Sequence, residues 1–75
     1  MGGLAPISAK KLIKILLELG FEEIRRKGSH CFFFNKITGL STVVPDHGSE
    51  DSSRGLLRKI LRDTDLDPSE FEKMR

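Results

Sequence analysis

The sequence predicts a small α+β domain in which two helices cover one face of a three-stranded antiparallel sheet. Three observations lead to this prediction. Apolar residues recur with helical spacing in residues 8–19 and again in residues 53–63, and three short stretches separated by glycine-containing turns lie between them. Two helices with apolar stripes need one sheet face to cover, so the opposite face stays open to solvent or to a partner.

The first helix is expected from about Ser8 to Leu19. Ser8 suits the N-cap because its hydroxyl can accept a hydrogen bond from the first turn, and Gly20 suits the left-handed position that often ends a helix. The apolar side chains between them share one face (Leu12, Ile13, Leu16, Leu17 and Leu19), and the opposite face is charged (Lys10, Lys11, Lys14 and Glu18).

The middle of the chain is expected to form three strands joined by tight turns. Gly28-Ser29 is the first turn and Lys36–Gly39 the second, and Pro45 ends the sheet because proline cannot donate to the hydrogen-bond ladder. The predicted strands are Phe21–Lys27, His30–Asn35 and Leu40–Val44.

The last third of the chain is expected to form a polar loop at residues 46–51 and two helices. The second main helix should begin at Ser52 or Ser53 and end at Asp63. Asp67 followed by Pro68 then predicts the start of a short extra C-terminal helix.

Composition indicates one folded domain over residues 1–75, with residues 1–6 flexible. The 75 residues are 37% hydrophobic and 32% charged, which separates this chain from disordered sequences. A lone cysteine, Cys31, excludes an internal disulfide and leaves no paired spacing for zinc, so we expect neither metal nor other cofactor. With no secretion signal and no membrane-length apolar run, we expect a cytoplasmic protein.

Charge is unevenly distributed along the chain. Residues 1–45 carry seven Lys/Arg and three Asp/Glu, a net +4, whereas residues 46–75 carry six and eight, a net −2. A basic N-terminal part suits a polyanion such as RNA, although a bias of this size does not by itself establish RNA binding.

Gly28-Ser29-His30 lies between a basic run (Arg25-Arg26-Lys27) and an aromatic run (Phe32-Phe33-Phe34). Histidine is the side chain best suited to moving protons near neutral pH. Its position where a basic loop enters an apolar strand indicates a small RNA-cutting site.

Three segments together resemble the HicA toxin family of toxin–antitoxin pairs, whose members are small mRNA interferases. They are Lys27-Gly28-Ser29-His30, Val43-Val44-Pro45-Asp46-His47 and Gly55-Leu-Leu-Arg-Lys-Ile-Leu-Arg. The resemblance covers roughly residues 8–72, and the predicted element order is also similar to the double-stranded RNA-binding fold (dsRBD-like). It implies that His30 is the catalytic residue and that a HicB-like antitoxin protein covers the active surface.

Two positions depart from the usual family pattern. Cys31 and Phe34 stand where the family usually has a polar or second histidine residue and a basic residue. We expect this surface to stack on bases or to lie beneath the antitoxin.

Metal-free RNA cleavage needs a base for the 2′-hydroxyl, an acid for the leaving 5′-oxygen and cations near the phosphorus. His30 is the expected general acid/base, and His47 is a weaker candidate for RNA contact or for the second proton transfer. The remaining predicted RNA-binding residues supply cations, phosphate-binding N–H groups and aromatic rings: Arg25, Arg26, Lys27, Gly28, Ser29, Phe32 and Phe34.

Strand alternation places His30, Phe32 and Phe34 on one face of the second strand and Cys31, Phe33 and Asn35 on the other. An accessible histidine then requires Phe33 in the core and two phenylalanines on the open face. The opposite parity, with Phe32 and Phe34 in the core, remains the alternative.

Other interpretations also stay open. His30 can simply begin a strand, and the chain can be a non-catalytic RNA-binding module of the same fold. Arg54, Arg58 and Arg62 recur every four residues, a pattern that fits either a binding stripe or a solvated helix face.

Overall fold

The computed structural model describes residues 4–48 and 53–75 of the chain. Its elements are α1 (Ala9–Glu18), β1 (Glu22–Lys27), β2 (His30–Phe34), β3 (Ser41–Pro45), α2 (Arg54–Asp63) and α3 (Pro68–Met74). The three strands form an antiparallel sheet in the order β1-β2-β3. The predicted fold class is therefore confirmed, including the short C-terminal helix. The helix start at Ser52 and most of the predicted polar loop lie outside the described residues.

The ends of α1 form as the sequence predicts. The Ser8 hydroxyl accepts a hydrogen bond from the Lys11 N–H at 3.2 Å. Gly20 has a φ of +101°, a left-handed conformation that glycine adopts without steric cost. The N–H groups of Gly20 and Phe21 then donate to Leu17 and Leu16, the paired bonds that commonly close a helix. This cap uses Phe21, so β1 begins one residue later than predicted.

The sheet has one irregularity, a β-bulge in β1. Glu23 pairs with Phe33 and Arg25 pairs with Phe32, which leaves Ile24 as the extra residue. The β2–β3 pairing is regular and aligns His30 with Pro45 and Phe32 with Val43.

The hydrophobic core lies between the sheet and the helices. From the sheet, Cys31, Phe33 and Val44 are fully buried, and Thr42 joins them with its hydroxyl donating to Asp63 of α2 at 3.0 Å. The helices and their flanking segments contribute the other main core residues: Ile7, Leu12, Ile15, Leu16, Phe21, Leu57, Ile60, Leu61 and Phe71. Burial of these side chains is the main source of stability in a domain of this size.

The C-terminal helix is tied to the segment that precedes α1. Phe71 is buried, and the Arg75 guanidinium donates to the backbone carbonyls of Ala5 and Pro6 at 2.8 and 2.7 Å. Leu4 is also buried. Residues 1–3 lie outside the described part, and flexibility of residues 1–6 stays a prediction.

No helix in the described part of the chain is both long enough and apolar enough to span a bilayer.

Candidate functional site

The sheet face turned away from the helices carries the candidate site. Along β2 the side chains alternate, with Cys31 and Phe33 fully buried and His30 exposed. Phe32 is half-buried and Phe34 keeps 37% of its surface exposed. The predicted parity is confirmed, and the alternative that placed Phe32 and Phe34 in the core is wrong.

His30 lies at the start of β2, at one end of the open face. Its cross-strand neighbours are Lys27 on β1 and Pro45 on β3. The turn before it contains Gly28, whose φ of +60° is again left-handed. Both Lys27 and His30 are exposed, so a cation and an imidazole share one accessible edge of the sheet.

Arg25 also belongs to the open face, where it covers part of an aromatic ring. It pairs with Phe32 across the strands, and its guanidinium carbon lies 4.8 Å from the centre of the Phe32 ring. This is a cation–π geometry, which suits arginine because its planar guanidinium can lie over an aromatic face.

Arg26 lies on the opposite side of β1 and has carboxylate partners. Its Nη2 donates to Asp46 Oδ2 at 3.1 Å and its Nε donates to Glu23 Oε2 at 3.2 Å. The hydrogen bond to Asp46, followed by the one to Glu23, raises the pKa of Arg26. These contacts leave Arg26 less available than Arg25 or Lys27 for phosphate; its predicted contact with RNA stays a prediction.

Asp46 joins the loop after β3 to the first turn of the sheet. Its N–H donates to the Ser29 carbonyl at 2.6 Å, and its Oδ1 accepts a hydrogen bond from the Gly48 N–H at 2.9 Å. The Gly48 N–H, and then the Arg26 guanidinium, lower the pKa of the Asp46 carboxyl. His47 is exposed between these two residues. Because Pro45 pairs with His30, both histidines belong to the same end of the sheet.

Two residues of this region were given no site role in the sequence analysis. Ile24, 62% exposed, lines a depression together with Phe32 and Val43, and this depression extends to Lys59 and Asp63 of α2. No sequence signal marks a bulge at Ile24. Asp46 had a usable signal, because an aspartate two residues before a glycine often accepts a hydrogen bond from the backbone of a turn. No sequence signal predicts the hydrogen bond between Asp46 and Arg26, which are twenty positions apart.

The other reactive groups in the described part of the chain do not form a second site. Burial raises the pKa of the Cys31 thiol, which disfavours the nucleophilic thiolate. Within residues 4–48 and 53–75, no group of three His, Cys, Asp or Glu side chains is arranged to hold a metal ion.

A separate groove lies away from both histidines, between α2 and α3. It measures about 800 Å³ and contains two arginines, Arg58 and Arg62, among three carboxylates (Asp65, Asp67 and Glu72). Its lining contains no histidine, and its carboxylates outnumber its arginines by three to two. We therefore take the open sheet face, which carries His30, as the candidate site.

Comparison with known proteins agrees with this geometry. A family profile described as "HicA toxin of bacterial toxin-antitoxin" matches residues 9–66, which run from the start of α1 to just before α3. No curated protein matches the chain. The profile covers well over half of the 75 residues and includes all three strands and both histidines. The chain belongs to the HicA toxin family of bacterial toxin–antitoxin systems.

Proposed function

We propose that this toxin is an endoribonuclease that cuts messenger RNA in the cytoplasm without a metal ion. The observation that carries the proposal is the exposed His30 beside Lys27 on the open sheet face. An imidazole provides proton transfer near neutral pH, and an adjacent ammonium attracts the phosphate to be cut.

In the proposed reaction His30 takes the proton of the ribose 2′-hydroxyl. The 2′-oxygen then attacks the adjacent phosphorus, the bond from phosphorus to the 5′-oxygen breaks, and the products are a 2′,3′-cyclic phosphate and a 5′-hydroxyl. Lys27 and the N–H groups of Gly28 and Ser29 stabilise the negative charge that builds on the phosphate oxygens. The leaving oxygen takes its proton from His47 or from water.

The test incubates purified wild-type protein and His30→Ala with a long RNA in the presence of EDTA. We expect wild-type protein to cut and His30→Ala to be slower by about 10² to 10⁴-fold, the usual contribution of general acid–base catalysis. Because His30 is exposed, its removal should change the free energy of unfolding by less than about 0.5 kcal/mol.

His47→Ala is the matched variant, since it removes the other histidine of the chain. A fall in rate limited to this variant would move the catalytic role to His47. Folded wild-type protein that leaves RNA intact would overturn the enzyme proposal and favour the non-catalytic RNA-binding module.

We propose further that a HicB-like antitoxin protein inhibits the toxin by covering the same face. Exposed apolar side chains such as Phe34 and Ile24 support this, because large apolar groups on a surface commonly mark a binding site. Antitoxin should then block RNA cleavage and slow hydrogen exchange of the β1 and β3 edge amides; unchanged cleavage at saturating antitoxin would contradict this.

A further inference from the structure

We propose that the open face selects single-stranded RNA whose bases are separated from one another, and that Arg25 lying on Phe32 is the platform for the first base beside the cut phosphate. Phe34 serves as the platform for the next base. This inference rests on the proposed function, because it uses the same face and counts positions from His30.

The spacing of the side chains along β2 supports separated bases. His30, Phe32 and Phe34 share one face, and residues two apart on a strand lie roughly 7 Å apart. Successive stacked bases in a duplex are about 3.4 Å apart. Side chains at twice that spacing fit successive bases that have left the stack, which is how proteins usually recognise single-stranded RNA.

The contact between Arg25 and Phe32 supports a platform at the middle position. Phe32 is half-buried and lies beneath the Arg25 guanidinium, 4.8 Å from its carbon. A guanidinium plane supported by a ring offers a second flat surface on its outer side, where a base can stack. The bulge reinforces this arrangement, because it sets Ile24 and Arg25 together opposite the single residue Phe32.

Charge gives the face a direction. Lys27 pairs with His30 at one end, whereas Glu22 pairs with Phe34 at the other. A phosphate is attracted to the lysine end and repelled from the glutamate end, while an uncharged base is tolerated at either. These charges favour placing the cut phosphate at the His30 end of the face.

A duplex cannot satisfy this arrangement, because its bases are paired and stacked inside the helix. We therefore predict that the face prefers single-stranded RNA, because bases stack on its aromatic and guanidinium planes in addition to the attraction of phosphates to its positive charge.

The test measures binding of three fluorescein-labelled RNA probes by anisotropy. The first is an unstructured single-stranded hexamer with 2′-O-methyl groups throughout, which lacks the attacking hydroxyl and cannot be cut. The second is the same strand joined to its complement through a short loop, so that the base pairs stay formed at the probe concentration. The third is an abasic strand that keeps the phosphates and lacks the bases. The proteins are wild type, Arg25→Lys and Arg58→Lys.

Arg25→Lys keeps the positive charge and removes the planar group. Arg58→Lys makes the same change on α2, in the groove on the helix side. We expect wild-type protein to bind the single strand at least about tenfold more tightly than the duplex. Arg25→Lys should weaken single-strand binding by about 5- to 150-fold, the range that one stacked base contributes. Arg58→Lys should bind as wild type does.

The abasic strand completes a double-mutant cycle in which one change is Arg25→Lys in the protein and the other is removal of the bases from the RNA. If Arg25 acts through a base, wild type and Arg25→Lys bind the abasic strand equally. Three results would each overturn the inference. They are equal binding of single strand and duplex, equal effects of Arg25→Lys and Arg58→Lys, and no binding of any of the three RNA probes. Because these probes are not cut, failure of the enzyme proposal is seen separately: tight single-strand binding by a protein that leaves natural RNA intact rejects catalysis and keeps the platform.

Discussion

The two faces of the sheet differ in role: residues that are neighbours in the sequence pack in the core on one face and are exposed on the other. Phe33 points toward the helices and is fully buried, whereas Phe34 points away and keeps 37% of its surface exposed. The same alternation separates buried Cys31 from exposed His30. Stability is thus concentrated on one face and the candidate chemistry on the other. We therefore expect substitutions on the open face to destabilise the domain less than substitutions on the buried face.

The two arginines of β1 show the same separation. Arg25 lies over Phe32 on the open face, whereas Arg26 pairs with Cys31 and donates to Asp46 and Glu23. In the sequence they are adjacent and equivalent. In the structure one is available to a ligand, and the other holds β1 to the loop that carries His47.

The largest effect expected from this comparison concerns Phe33 and Phe34. Phe33→Ala should reduce the free energy of unfolding by about 3–5 kcal/mol, because it leaves a cavity at the centre of the core. Domains of this size are stable by only about 4–11 kcal/mol, so much of the variant should be unfolded on warming. Phe34→Ala should cost less than about 1 kcal/mol. Urea unfolding followed by circular dichroism measures both, and similar losses would contradict the assignment of the two faces.

Much of this arrangement can be predicted from the sequence, because it depends on local rules. Strand alternation places Phe33 and Phe34 correctly once His30 is required to be accessible, and a serine N-cap with a glycine end predicts α1 almost to the residue. The relation between His30, Phe32 and Phe34 depends only on the two-residue period of a strand.

The remainder depends on pairing between distant residues. The bulge at Ile24 is set by the register of β1 against β2, and nothing in the composition of β1 specifies that register. The hydrogen bond between Arg26 and Asp46 joins β1 to the loop after β3. From the sequence alone, Arg25 and Arg26 were equally good candidates for a phosphate ligand, because only strand pairing shows that they lie on opposite faces.

The second prediction compares two lysines, Lys27 beside His30 and Lys14 on the exposed side of α1. If phosphate lies on the open face, Lys27→Ala should weaken RNA binding several-fold at low salt. It should also reduce the slope of log affinity against log salt by about 0.7, the value for one contact with single-stranded nucleic acid.

Lys14→Ala makes the same change of charge on the helix side and should leave that slope unchanged. Anisotropy titrations of the 2′-O-methyl strand over a range of salt concentrations measure the slope. Equal changes in the two variants would mean that RNA is held by overall charge and not by this face.

The smallest effect concerns Asp46, whose carboxyl links β1 to the loop that contains His47. Hydrogen bonds from the Gly48 N–H and from Arg26 lower its pKa below the ordinary value of 3.8. The folded state therefore favours the ionised form, so the stabilisation is fully present above the unfolded pKa and is lost as pH falls through the lower folded pKa. Asp46→Asn should make stability less dependent on pH in acid. At neutral pH it should reduce the free energy of unfolding by less than about 1 kcal/mol, because the ion pair between Asp46 and Arg26 is partly exposed.

Asp67→Asn is the matched control for Asp46→Asn. Asp67 also has a lowered pKa, caused by hydrogen bonds from Ser69, but it caps α3 on the helix side. Both variants should flatten the acid limb of a stability curve measured by thermal unfolding. Only Asp46→Asn should also slow RNA cleavage, by less than about tenfold, because only Asp46 holds the loop beside His30. Equal cleavage by the two variants would show that this link stabilises the fold without positioning the site.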